Sequence, residues 1–438
     1  MNDNHKVFKD FTGQRLIEAV RDVRNVLADQ HSGVIYGFHI DSTESDPEDC
    51  ITYLADAVGM TPAYMDTAND RFIWGSWRDA FFMPRPCMLK YDGTVDYYLD
   101  ENDFTKKYDG TPSDVADINY EGNAMVEWGQ NGKIIWYKIV PDAEDNTSAS
   151  VYIADYQADD DFHCWSFINS HDEIVDHFYT SIYNGSLDTN GKLRSISGRT
   201  YDQLCQSKTS AQEVAAAKLN SVNTDEDWNI EVYADIMLID LLLILIGKTL
   251  DVKTAFGSGR CGQSSSASNM LSTGTMNTKG LFWGDTVNGT YGVKVFGMEN
   301  YWGNQWRRYV GHIMNDYVQK YKLTYGQLDG STGDGYQTSG TASDYSHYIT
   351  GATAPSSNNY VKTMQFDSKG VFQNKEVQSS SSLYWCAYFY QNSGLRLAFR
   401  GAGCSDPRTR VSPWCVCLNG APSNAYWFIG ASPSYKPL

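Results

Sequence analysis

The chain has no membrane-length hydrophobic run, no excess of positive charge and no paired-cysteine spacing, and each absence removes a class of protein. Its most apolar stretch, Ile236 to Ile246, is interrupted by Asp240. It falls far short of the ~20 residues that cross a bilayer. A buried core helix is expected there, stopped by Gly247 and Lys248. Lys and Arg number 35 against 53 Asp and Glu, for a net charge of −18. Neither nucleic acid nor an anionic membrane suits such a surface, so no nucleic-acid partner and no membrane insertion are expected. The nine cysteines include no CxxC pair, which argues against a structural zinc site. Residues Met1–Lys9 are polar with no apolar signal region, so the thiols are expected to be free in a reducing cytosol. Catalytic signatures are missing too. There is no GxSxG elbow and no GxxxxGK[ST] phosphate loop. His171 and His177 flank residues 172–176 without HExxH spacing, and Asp159-Asp160-Asp161 lacks the alternation and glycine of a calcium loop. No enzyme, catalytic residue, metal or cofactor is expected.

What is abundant is tyrosine. Aromatic residues make up 14% of the chain and 30 of them are Tyr. Tyr combines contact area, a polar handle and few rotors, which binding surfaces favour. A Tyr-rich β core is the competing explanation, and composition does not separate the two. With 438 residues, 42% of them hydrophobic, the chain is long enough for two or three domains, or for one with large insertions.

Leu16, Val20, Val23 and Leu27 lie on one stripe of an expected helix over 14–30, with Thr12 able to cap it. That stripe suits either self-association or packing on the next domain. Residues 34–40 read as a strand. Ala124–Trp128 and Lys133–Val140, joined through Asn131-Gly132, read as a hairpin, and Val151–Tyr156 as a further strand. Residues 211–219 and 228–250 read as helices. Strands with few helices predict an α+β fold. The Gly-, Ser- and Thr-rich stretches 257–275 and 329–358 read as surface insertions. Toward the C-terminus, 394–401, 414–418 and 426–430 read as strands, with an irregular loop over 403–413 that Pro407 and Pro413 keep out of regular structure.

Gly297-Met298-Glu299-Asn300-Tyr301-Trp302-Gly303-Asn304-Gln305-Trp306 resembles a segment of C-type lectin-like domains. Such domains are shared by formylglycine-generating enzymes and by the variable proteins of diversity-generating retroelements. Arg396–Gly401, the loop after it, Leu418-Asn419 and Ile429–Ser432 resemble the variable region of the latter. The resemblance covers residues 33–438 in outline and is specific over 297–313 and 395–435. It implies an N-terminal helical segment (1–32) for attachment or oligomerisation and a β-rich segment (33–115). A lectin-like domain with large insertions (116–438) follows, with its variable region near 384–430. Strand 34–40 could then pair with the C-terminal strand, making 33–438 one domain.

In that family an error-prone copy of a template randomises adenines, so Asn codons yield many residues but never Lys, Glu, Gln, Met or Trp. Residues 400–430 contain no Lys, Glu, Gln or Met. The ligand-binding positions implied are Tyr384, Ala387, Cys404, Ser405, Asp406, Arg408, Arg410, Ser412, Cys415, Cys417, Tyr426 and Phe428. Arg and aromatic residues dominate interface hot spots. The alternatives are ordinary surface for each of these and core for Trp414, Cys415 and Cys417, since alternate strand residues face inward. Trp302 and Trp306 are expected in the core. The function implied is that of a phage or prophage tail receptor-binding protein, located in the virion tail and recognising a host-surface protein or glycan. It would be a homo-oligomer, a trimer by analogy with tail fibres. The EPN or QPD triplet of calcium-dependent lectins is missing. An oxidoreductase of the formylglycine-generating type and a fixed structural tail protein are the alternatives. Against the former, Cys415 and Cys417 do not have that family's spacing.

Overall fold

A computed structural model describes residues 33–143, 146–222, 227–323, 325 and 348–438. The expected helix over 14–30 and the stretch 329–347 lie outside the described residues. The molecule is 33% strand and 11% helical, which makes it an α+β fold dominated by sheet. Among the described residues no helix is long and apolar enough to cross a membrane.

Three large sheets surround one helix. Helix α1, Ser210–Lys218, begins at a capping box in which Thr209 and Gln212 exchange side-chain and backbone bonds. Helix α2, Tyr233–Gly247, is buried along its whole length. It is apolar nearly all round because strands of the first and third sheets, the turn Trp165–Phe167 and the short helix Val252–Ala255 enclose it. Tyr53 donates to the carbonyl of Leu245, Tyr233 to that of Phe372, and Tyr301 to Asp240 Oδ1, so strands from distant parts of the chain converge on this helix. The helix is shorter than expected: Trp228–Ile230 is a strand.

The first sheet has four strands, ordered Ile51–Ala55, Ile35–Ile40, Ala149–Ala154, Trp136–Pro141. The second has six, ordered Trp228–Ile230, Pro433–Tyr435, Phe178–Ser181, Gly122–Trp128, Arg85–Lys90, Val95–Tyr98. The expected hairpin therefore does not form. Gly122–Trp128 has both edges occupied, by Phe178–Ser181 and by Arg85–Lys90, so Trp136–Pro141 crosses to the first sheet. Residues on both sides of position 115 share these sheets. Ile35–Ile40 pairs with Ile51–Ala55 and Ala149–Ala154, while the C-terminal strand pairs with Phe178–Ser181 and Trp228–Ile230.

The third sheet carries most of the C-terminal third. Its spine is Trp306–Asn315, flanked by Val318–Lys322 and Arg396–Arg400. Beyond them lie Val416–Leu418, Tyr388–Gln391, Asn359–Asp367 and Val371–Gln378. The register of the spine shifts between Arg308 and Ile313. Gly311, with φ +92, sits inside that shift, where a Cβ would lie 2.8 Å from the Lys322 carbonyl oxygen. Residues 426–428 are not a strand, since only Ile429–Gly430 pairs, parallel to Trp306–Arg307. The stretch 257–275 is irregular but not simply a surface insertion. Gly257, Ser258 and Cys261 are buried, and the Gly257 carbonyl accepts from Trp302 Nε1 at 3.0 Å.

Charge is buried around α2 as well. Glu231 and Arg307 meet at 2.5 Å, Asp235 and Lys436 at 2.9 Å, Glu213 and Arg308 at 2.6 Å. All six side chains are within a few per cent of full burial. Asp240 and Arg400 are looser, at 3.7 Å, with the guanidinium 3.9 Å from the centre of the Tyr301 ring. Burial pushes the Asp240 carboxyl up to about 7 despite Arg400 and the Tyr301 hydroxyl.

Candidate recognition surface

The loop after Arg400 is irregular, as expected, and it is held from both sides. The N–H of Gly401 donates to the Cys415 carbonyl and that of Cys404 to the Asn304 carbonyl. In return the Cys404 and Asp406 carbonyls accept from the N–H groups of Gln263 and Gly262. Asp406 Oδ2 accepts from Trp306 Nε1 at 2.8 Å and from the Gly403 N–H at 2.9 Å. Burial raises the Asp406 carboxyl, while those two donors and Arg410 oppose the rise. Trp306 is 5% exposed and anchors the loop to the spine of the third sheet.

A single 3-10 turn, Arg408–Arg410, then spreads its side chains apart. Arg408 turns toward 258–286, donating from Nε to Ser258 Oγ and from Nη2 to the Thr286 carbonyl, both at 2.7 Å. Arg410 turns toward the sheet, with Nη1 3.0 Å from the Tyr390 hydroxyl and its guanidinium 4.4 Å from the Tyr388 ring centre. Thr409 Oγ1 accepts from the Tyr360 hydroxyl at 3.0 Å. Tyr388 and Tyr390 are two apart on one strand and so share a face, with ring centres 4.6 Å apart. Tyr360 lies opposite Tyr388 in the register, edge-on at 5.0 Å. All three tyrosines are half-buried, as is Arg410. Three hydroxyl-bearing rings are thereby gathered around one cation at the edge of the loop.

A second patch lies on the other side of Trp306. The backbone N–H of Trp306 donates to the Phe428 carbonyl at 2.9 Å. Phe428 stacks on Tyr426 with ring centres 5.1 Å apart and planes 8° apart. Tyr426 is 47% exposed. Trp427 turns inward onto a small cluster of Leu204, Met270 and Cys404.

Of the twelve expected binding positions, Asp406, Arg408, Arg410, Ser405, Tyr426 and Phe428 reach solvent around Trp306. Tyr384 is half-buried too, with φ +58 and its N–H on the Ser45 carbonyl. The other five are corrected by the structure: Ala387, Cys404, Ser412, Cys415 and Cys417 are buried to 5% exposure or less. Cys417 sits in a strand paired on both edges and Cys415 immediately precedes it. Cys404 packs with Trp427, and Ala387 and Ser412 are buried beside the strands that flank them. Of the two alternatives for Trp414, Cys415 and Cys417, core is the one observed. Burial pushes the Cys417 thiol up to about 12 and the Cys415 thiol well above its usual value. Tyr360, Tyr388, Tyr390 and Thr409 are not among the positions expected from sequence. The alternation at 388 and 390 is a usable signal for two of them; Tyr360 arrives only through strand pairing. The chain matches no family model and no curated protein.

Proposed function

We propose that the chain is a recognition protein of the diversity-generating retroelement type, with a C-type lectin-like fold, serving as a phage or prophage tail receptor-binding component. Its ligand is a host-surface protein or glycan, met by the surface on either side of Trp306. The observation that carries this reading is the Arg410–Tyr360–Tyr388–Tyr390 cluster beside the loop 403–411. Ring faces and hydroxyls from two strands meet there a cation from a loop whose backbone is fixed by bonds to neighbouring segments. Such a scaffold tolerates change in its outward side chains without loss of fold.

The test is the DNA around the gene. The expected result is a reverse-transcriptase gene and a near-copy of the segment encoding 384–430, with mismatches at template adenines. Burial sharpens the expectation. Mismatched codons should fall at Tyr384, Ser405, Asp406, Arg408, Arg410, Tyr426 and Phe428, and spare Ala387, Cys404, Ser412, Cys415 and Cys417. A gene with no such copy would sink the retroelement reading and leave a fixed structural tail protein. The formylglycine-generating alternative draws little support from Cys415 and Cys417. Both thiols are buried and held protonated, which is the opposite of a reactive pair.

A further inference from the structure

A cleft of about 360 Å³ opens between the tip of a hairpin, Ser186–Leu187 paired with Leu193–Arg194, and the segment 118–121. That volume lies in the range of small-molecule sites. The cleft shares no residue with the surface around Trp306.

Its walls are built rather than incidental. Asp188 Oδ1 accepts from the N–H groups of Asn190 and Lys192 at 2.8 and 2.9 Å, and Gly191 takes φ +79 between them. This fixes the hairpin tip. Arg194, 3% exposed, joins the two walls. Its Nη2 donates to the carbonyls of Tyr120 and Gly122 at 2.6 and 2.7 Å, and its Nη1 lies 3.6 Å from Asp188. Arg194 and Asp188 therefore neutralise each other.

Two further cations remain. Lys192 Nζ lies 3.9 Å from the centre of the Tyr91 ring, and Arg199 lines the same cleft. Among the described residues neither has a carboxylate within ion-pair distance, although acids outnumber bases by 18 in the chain. Beside them stand acceptors and amides: Glu121, Asn119 and Asn190. A bare inorganic anion could accept from the cations and the amides, but it would set its charge against the Glu121 carboxylate. A neutral sugar would use the amides and Glu121 and could accept from both cations, but it would leave their charge uncompensated. A molecule with hydroxyls around a ring and one carboxylate uses every group.

We infer that this cleft binds a polyhydroxylated carboxylate of about one sugar ring, a hexuronic acid in chemical class. Lys192 and Arg199 take its carboxylate, and Glu121, Asn119 and Asn190 its hydroxyls. The inference does not rest on the retroelement reading, and since no residue is shared, failure of one leaves the other standing.

The experiment is calorimetric or NMR titration of the full chain with glucuronate, glucose and inorganic phosphate. Glucuronate is expected to bind saturably, and glucose and phosphate about tenfold more weakly or worse, the scale of one charge-assisted contact. Lys192→Ala and Arg199→Ala, both at partly exposed positions outside the core, should each weaken glucuronate about tenfold, with Lys192→Arg restoring most of the loss. The inference is overturned by a flat glucuronate titration, by glucose or phosphate binding as tightly, or by alanine variants that bind like the parent. The three-ligand comparison uses the unaltered chain, so its outcome does not depend on the variants folding.

Discussion

The loop Gly403–Val411 and the strand Val416–Leu418 are neighbours in sequence with opposite fates. The loop leaves Ser405, Asp406, Arg408 and Arg410 partly exposed. The strand, with Cys415 just before it, buries Cys415 and Cys417. Composition accounts for part of the contrast, since the strand is Val-Cys-Leu and the loop carries Ser, Asp, Thr and two Arg. Pairing accounts for the rest. Val416–Leu418 lies between Tyr388–Gln391 and Arg396–Arg400, so both edges are taken and its faces are packed. The loop instead makes backbone bonds to two separate segments, at Asn304 and at 262–263, and is tied further through the Asp406, Arg408 and Thr409 side chains, which fixes its path without closing it over. The loop is thus divided: its backbone is held by main-chain bonds and by the Asp406 and Arg408 side chains, while among the described residues the Ser405 side chain makes no hydrogen bond.

The division can be tested by substitution. Trp306→Ala removes the anchor shared by both patches. It is expected to cost about 3–5 kcal/mol of unfolding free energy, as large aromatic truncations in a core do. Chemical denaturation checks this, and a loss below about 1 kcal/mol would mean that the loop is held without it. Cys417→Asp places a carboxyl where the strand is packed. The cost is about 2–3 kcal/mol with the acid neutral, and more as the pH rises and the group must ionise. A melting temperature equal to the parent's would show that the strand is less closed than its pairing implies.

Asp240→Asn probes the buried charge beneath the same sheet. Asp240 has its carboxyl raised by burial, so its stabilising contribution is complete below its unfolded value of about 4 and is lost as pH rises through 7. The variant lacks that pH-dependent contribution. Its stability deficit relative to the parent should therefore shrink between pH 5 and pH 8, as urea unfolding at the two pH values would show. A deficit that grows would place the Arg400 attraction above the burial penalty. Arg410→Ala removes one hydrogen bond and one ring contact at a half-exposed site, for about 1 kcal/mol. Ser405→Asp, the loop counterpart of the cysteine change, should stay within about 0.5 kcal/mol. If Ser405→Asp and Cys417→Asp prove equally damaging, the contrast between loop and strand fails.

Several parts of this fold are legible in the sequence because they depend on near neighbours along the chain. The Ile236–Ile246 run announces a core helix, Ile35–Ile40 a strand, and Pro407 and Pro413 an irregular loop. The parts that mislead share one cause. Residues 124–140 carry good hairpin signals, yet other strands fill both edges of Gly122–Trp128. Trp228–Ile230 looks like the start of a helix, yet it pairs with the C-terminal strand. The site divides the same way. Arg408, Arg410, Tyr426 and Phe428 can be named from sequence, whereas Tyr360 joins them only because Asn359–Asp367 pairs with Tyr388–Gln391.

The sequence by itself determined the sign of the surface charge, the wealth of tyrosine, the sheet-rich class and the position of the central helix. These are sums over residues or patterns within a few turns of chain. Only the tertiary structure decided which cysteines face the core, which tyrosines gather around Arg410 and which cations line a cleft. Burial and contact depend on which segments meet across hundreds of residues, and that is set by competition among strand edges rather than by any residue's own preference.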